Sequence, residues 1–187
     1  TKHDHALMAL YRLAEDVGAL QNARQYTDMT QALIIAGFGQ EAERVMQKGI
    51  DASLFAGDEA TRAKRTIDAA KRKADAERAA LPKAANALAA AKTGDEMEKV
   101  GELYFSAGDY VNASAALQKA IAKGGLSDAD SAQMLLGIAL KRKGDKANAT
   151  KAFDLVKEPQ FAQILKLWKI AARRSRVRVS APRSVEN

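Results

Sequence analysis

The sequence predicts an all-α fold: an α-solenoid of antiparallel helical hairpins with a C-terminal capping helix. Three observations carry that expectation. Much of the 47% apolar content is alanine, aromatics supply only 5%, and Leu, Lys, Glu, Gln and Arg are frequent, a mixture that favours helix. Glycine, several times followed by Asp or Ser, falls where helices would have to stop and restart. And "GELYFSAGDY" at 101–110 shares its skeleton with "GIALKRKGDK" at 137–146, offset by 36 residues.

The first helix is expected over 3–18. Leu7, Leu10, Leu13 and Val17 recur there at helical spacing beside Ala6, Tyr11 and Ala14, and Gly18 ends the run. A second, over 23–37, places Tyr26, Met29, Leu33 and Ile34 on one face. A third, over 39–49, turns Ala42, Val45 and Met46 inward. Gly37 and Gly49 are expected as C-terminal stops, because glycine takes the left-handed conformation cheaply. The stretch 58–80 is different: charges run all around it, Ile67 is its one large apolar residue, and a thin alanine stripe remains. Asp58 is expected as its N-cap, and Pro82 as a break or first turn. An alanine-rich helix should then run to about Gly94. Five further helices are expected over 95–107, 110–123, 128–143, 146–157 and 159–174. The Gly-Asp turns between them combine a C-cap glycine with an N-cap oxygen.

At an offset of 36, Gly101 aligns with Gly137, Tyr104 with Leu140, Gly108 with Gly144, Ala113 with Ala149, Leu117 with Phe153 and Ala120 with Val156. A small residue in a hairpin's first helix permits close approach of the second. The large Leu117 and Phe153 are expected to fill the space between neighbouring hairpins. A third match is looser: Gly37 takes the turn, Ala42 and Gly49 the small positions, Met46 the large one, and Thr30 stands where Gly101 and Gly137 stand. Two helices and a tight turn at a period in the mid-thirties resemble the tetratricopeptide repeat (TPR), whose period is 34. The resemblance covers 101–157 well and the upstream unit loosely, and residues 60–93 fit it poorly.

The expected organisation is an N-terminal helical, degenerate TPR-like region (1–57), a charged helix with an alanine-rich connector (58–93), two TPR-like units (94–157), a capping helix (158–174) and a basic tail (175–187). In the capping helix Phe161, Ile164, Leu165, Trp168 and Ala172 share one face. The layout is also similar to exported bacterial proteins of this repeat class, so export to the periplasm is favoured over the cytoplasm. The chain opens at Thr1 without methionine, as a processed or truncated start would.

The net charge of +7 is unevenly placed. Residues 157–187 hold eight basic residues against two acids, a net +6, which leaves +1 for residues 1–156. The alternating Arg and Val of "RRSRVRVS" could contact phosphates or acidic lipid, but no aromatics accompany them to stack on bases. An electrostatic nucleic-acid or membrane-surface binder acting through this tail is therefore the alternative function; neither partner is the expected one. No apolar run approaches the ~20 residues of a membrane-spanning helix. There is no cysteine, the histidines are His3 and His5 alone, and "GFG" and "KGG" lack the strand–loop–helix context of a phosphate loop. No enzyme, cofactor or metal is expected.

What the TPR resemblance implies is a non-catalytic scaffold that binds a protein or peptide on the concave face of its first helices. The residues it places there are Glu98, Lys99, Glu102 and Phe105 from the first clear unit and Met134, Ile138, Lys141 and Arg142 from the second. Glu98 and Glu102 stand where peptide-clamping members carry Lys or Asn, which argues against capture of a C-terminal carboxylate. The outer side of 58–80 is expected to offer a homodimer surface.

Overall fold

A computed structural model describes the backbone of residues 2–173 and the side chains from His5 onward; the basic tail and His3 as a ligand lie outside what it describes. The described chain is all-α. Its helices are α1 (Lys2–Asp16), α2 (Ala23–Ala36), α3 (Gly39–Asp51), α4 (Gly57–Ala80), α5 (Ala84–Ala90), α6 (Gly94–Ala107), α7 (Tyr110–Lys123), α8 (Ala129–Arg142), α9 (Lys146–Asp154) and α10 (Ala162–Arg173). Short 3-10 turns precede α5 (Leu81–Lys83) and α10 (Pro159–Phe161). Among the described residues no helix is long and apolar enough to cross a membrane.

Helices α2/α3, α6/α7 and α8/α9 form tight hairpins, and α7 packs on α8 to join the last two. All three turn through a left-handed glycine: φ is +86° at Gly37, +82° at Gly108 and +97° at Gly144. In the last two the next residue is the N-cap. Asp109 Oδ1 accepts from the Asn112 amide at 3.0 Å and Asp145 Oδ1 from Asn148 at 3.2 Å. One glycine and one aspartate therefore reverse the chain without a loop.

The close approach is visible in what a side chain at each small position would meet. A Cβ on Gly101 would lie 2.7 Å from Leu117 Cγ, and one on Gly137 would lie 2.3 Å from Phe153 Cε1. Leu117 and Phe153 therefore fill the gap inside their own hairpins, and Phe153 also packs against Trp168 of α10, with ring centres 5.8 Å apart. The upstream hairpin repeats the arrangement. Thr30, fully buried, sends its hydroxyl to the Tyr26 carbonyl at 2.7 Å and lies 3.6 Å from the sulfur of Met46. A threonine fits there because its one polar atom is satisfied within its own helix.

Several boundaries move. Gly49 lies inside α3, where a Cβ would meet Tyr26 and Phe55 at 2.9 Å, so it is a packing glycine and not a stop. Gly94 opens α6. Thr93 and Glu96 form a reciprocal capping box there, and the missing side chain admits the carbonyl of Gly124, the C-cap of α7. Ala56 stands at the N-cap of α4, with Asp58 as the second residue of its first turn. That helix buries Ala63, Thr66, Ile67, Ala70 and Ala74 against α2 and α3, the narrow stripe its composition allows.

The largest departure is α1. Of its expected stripe of Leu7, Leu10, Leu13 and Val17, Leu13 is buried, while Leu7, Leu10 and Val17 are 44%, 42% and 58% exposed. Ala6, Met8, Ala9 and Arg12 are buried beside it. Ala6, Met8, Ala9 and Leu13 pack into one core with Met134, Ile138, Phe161 and Trp168. α1 packs on α2, α8 and α10, which joins the two ends of the described chain. Trp168 of α10, fully buried, donates its indole N–H to the Ala9 carbonyl at 3.0 Å.

Candidate functional site

The first helices of the hairpins, α2, α6 and α8, together with α10, form a groove, and α1 lies in it. The two ends of that groove have different chemistry.

At the C-terminal end of α1 every charge is matched. Glu41 of α3 is 2% exposed and takes two arginines. Arg12 donates to it at 2.7 Å through Nη2 and at 3.1 Å through Nε; Arg142 of α8 donates at 3.0 Å through Nη1. Arg142 also reaches Asp16 through Nε at 3.1 Å and Glu15 through Nη2 at 3.0 Å, while the Lys141 ammonium meets Asp16 at 2.7 Å. Lys48 of α3 pairs with Glu15. The guanidinium of Arg12 lies over Phe38 and Phe105, 4.3 and 4.7 Å from their ring centres, and that of Arg142 lies near Phe105 and Tyr110. Burial works to raise the Glu41 carboxyl, but the two arginines overcome it and hold it below the usual carboxylate range. Burial likewise opposes the charge on Arg142, and Glu41 and Asp16 fix it as a permanent cation.

The other end is left unbalanced. Glu98 and Glu102, one turn apart on α6, face a cavity of about 120 Å³ between α1, α6 and α8. Among the described residues neither carboxylate accepts a hydrogen bond. Burial first, then Glu102, Asp95 and Asp128, push Glu98 up to about 7. Burial also raises Glu102, with Arg12, His5 and Lys99 offsetting part of it. Asp128 is satisfied. Burial works against its charge, but the amide and hydroxyl of Ser131 and the His5 ring hold it below its ordinary value. His5 Nδ1 lies 3.0 Å from Asp128 Oδ2 and against the Ser131 hydroxyl.

The groove thus gathers seven of the eight residues that the sequence singles out, but in unequal states. Phe105, Met134 and Ile138 are enclosed beneath α1. Lys141 and Arg142 are engaged by the acids of α1. Glu98 and Glu102 border the cavity, and Lys99 is exposed beside them. Sequence reasoning missed Arg12, Asp16, Glu41 and Glu77. Arg12 had a signal: it follows Ala6 and Ala9 at three-residue steps, so a cation stands on a stripe of small residues. Glu41 had none, because its partners lie 29 and 101 residues away. Glu77 of α4 accepts from the amides of Gly39 and Gln40 at 2.7 and 2.8 Å and from the Ser106 hydroxyl at 2.7 Å, which fixes the start of α3 and so positions Glu41. Among the described residues no group of three or more His, Asp or Glu is placed to hold a metal ion.

Comparison of the chain with protein-family models, with curated proteins and with solved structures finds no match.

Proposed function

We propose that the chain is a non-catalytic, TPR-like scaffold that binds a helical segment of a partner protein in the groove across its first helices. One observation carries this: the groove seats an amphipathic helix, α1, and meets it with both apolar surface and directed charges. The 36-residue register of Gly101/Leu117 and Gly137/Phe153, with the same contact at Thr30/Met46, supports the repeat character. Buried ion pairs of this kind contribute little net stability compared with apolar packing, and their best-attested use is to fix register and partner choice.

Selection of helical peptides against the immobilised full chain tests the role. Selected peptides should bind with modest salt dependence, lose affinity to Glu102→Lys or Lys99→Glu, and ignore removal of residues 174–187. Affinity that falls steeply with salt and vanishes on removing those residues would move the function to the basic tail.

A further inference from the structure

The fit of α1 in its groove is incomplete, in a consistent way. Met8 and Leu13 are buried, but Leu7 and Leu10 face outward, and two of the side chains α1 presents to the groove, Ala6 and Ala9, are no larger than a methyl group. A cavity of about 120 Å³ remains beneath it, bordered by Met8, Arg12, Glu98, Glu102, Met134 and Ile138. Larger side chains placed there would gain contacts with its walls. On the same side, among the described residues, α1 brings His5 and Arg12 toward two carboxylates that accept no hydrogen bond. The opposite end of the helix is fully matched, with Glu15 and Asp16 meeting Lys48, Lys141 and Arg142.

From this mismatch we infer that α1 is an internal stand-in for a partner's helix. The partner's helix displaces α1 and takes the same orientation. Its acidic C-terminal end meets Lys141 and Arg142, and an arginine or lysine near its N-terminal end meets Glu98 and Glu102. Side chains larger than alanine fill the cavity. This rests on the interaction role proposed above and names the chemistry of the partner. The intramolecular linkage explains how an imperfect helix holds the place. Six residues, 17–22, tether α1 to α2, so its effective concentration at the groove is high, and a better-matched helix in trans must overcome that advantage.

The test uses the full chain and three fluorescein-labelled peptides: residues 2–17, the same peptide with His5→Arg, and the His5→Arg peptide with Glu15→Lys and Asp16→Lys added. The His5→Arg peptide should bind about fivefold tighter than the unmodified one. The charge-reversed peptide should not bind. Hydrogen exchange should show α1 amides opening faster than those of α6 to α9, and faster still when the His5→Arg peptide saturates the groove. In a Glu98→Gln/Glu102→Gln chain the fivefold preference should disappear. If α1 exchanges as slowly as α6 to α9 and no peptide binds, α1 is a fixed part of the core and the inference fails. A concentration-dependent dimer that buries the groove would assign it to a second copy, which also overturns the inference. Selected peptides that bind while α1 stays protected would overturn it and leave the scaffold role standing; a chain that binds no helical peptide at all would end both.

Discussion

The two ends of the α1 groove use the same residue types to opposite effect. At one end Glu41 sits between two guanidiniums and is deeply buried, yet stays ionised. At the other, Glu98 is less enclosed yet is held near neutral pH, because its nearest charged neighbours are acids. Partnering, more than depth, decides the state of a carboxylate here. Burial penalises charge at both sites, and only the matched end offsets it with donors. The matched end fixes the direction and register of the helix; the unmatched end leaves room for a different one.

The largest effect should come from breaking the matched end. Glu41→Gln leaves the Arg12 guanidinium facing a neutral amide in a site closed to water. Urea unfolding should show a loss of about 3–5 kcal/mol, the cost of stranding a buried charge. A loss well under 1 kcal/mol would mean that water reaches Arg12 and that the end is not closed.

The unmatched end should respond with the opposite sign and a smaller size. Glu98→Gln removes one of two like charges spaced i, i+4, a gain of roughly 0.5 kcal/mol near pH 8. The direction follows from protons. Glu98 titrates near 7 in the folded chain and at its ordinary value near 4.5 when unfolded. Between those values the folded chain holds a proton that the unfolded chain has lost. The contribution of this group is complete below the unfolded value, declines as the pH rises and is gone above the folded one. Glu98→Gln should therefore flatten the decline: more stable than the parent near pH 8, no more stable near pH 4. Equal destabilisation by Glu41→Gln and Glu98→Gln would erase the distinction between the two ends.

How much of this the sequence disclosed divides along similar lines. The hairpins were legible because their information is local: a left-handed glycine at Gly108 or Gly144, an aspartate cap beside it, and a small residue sixteen positions before a large one. The bounds of α7 were read to the residue, since Asp109 and Gly124 close it from within the sequence. The apolar face of α10 was legible for the same reason: Phe161, Leu165, Trp168 and Ala172 recur at helical steps and are all buried. The orientation of α1 was not. Its sequence holds two stripes, a larger aliphatic one and a smaller one, and helical periodicity favours the larger. Which side is buried is set by the groove surface that α1 meets, and Met134, Ile138, Phe161 and Trp168 lie more than a hundred positions away. The site shared this fate. Seven of the eight residues expected on an open face lie along one groove, but the helix that covers several of them is the one whose orientation the pattern misstated.

The contrast between matched and unmatched carboxylates is tested most directly by reading the two groups one at a time. Carbon-detected NMR of side-chain carboxyls across a pH series, assigned by the missing signals of Glu41→Gln and Glu98→Gln, follows each titration in the folded chain. Glu98 should titrate at about 7, and Glu41 should remain ionised below the ordinary carboxylate range until the fold is lost. Two carboxyls titrating together near 4.5, the ordinary value, would show that neither end of the groove distinguishes them and would contradict the account at its centre.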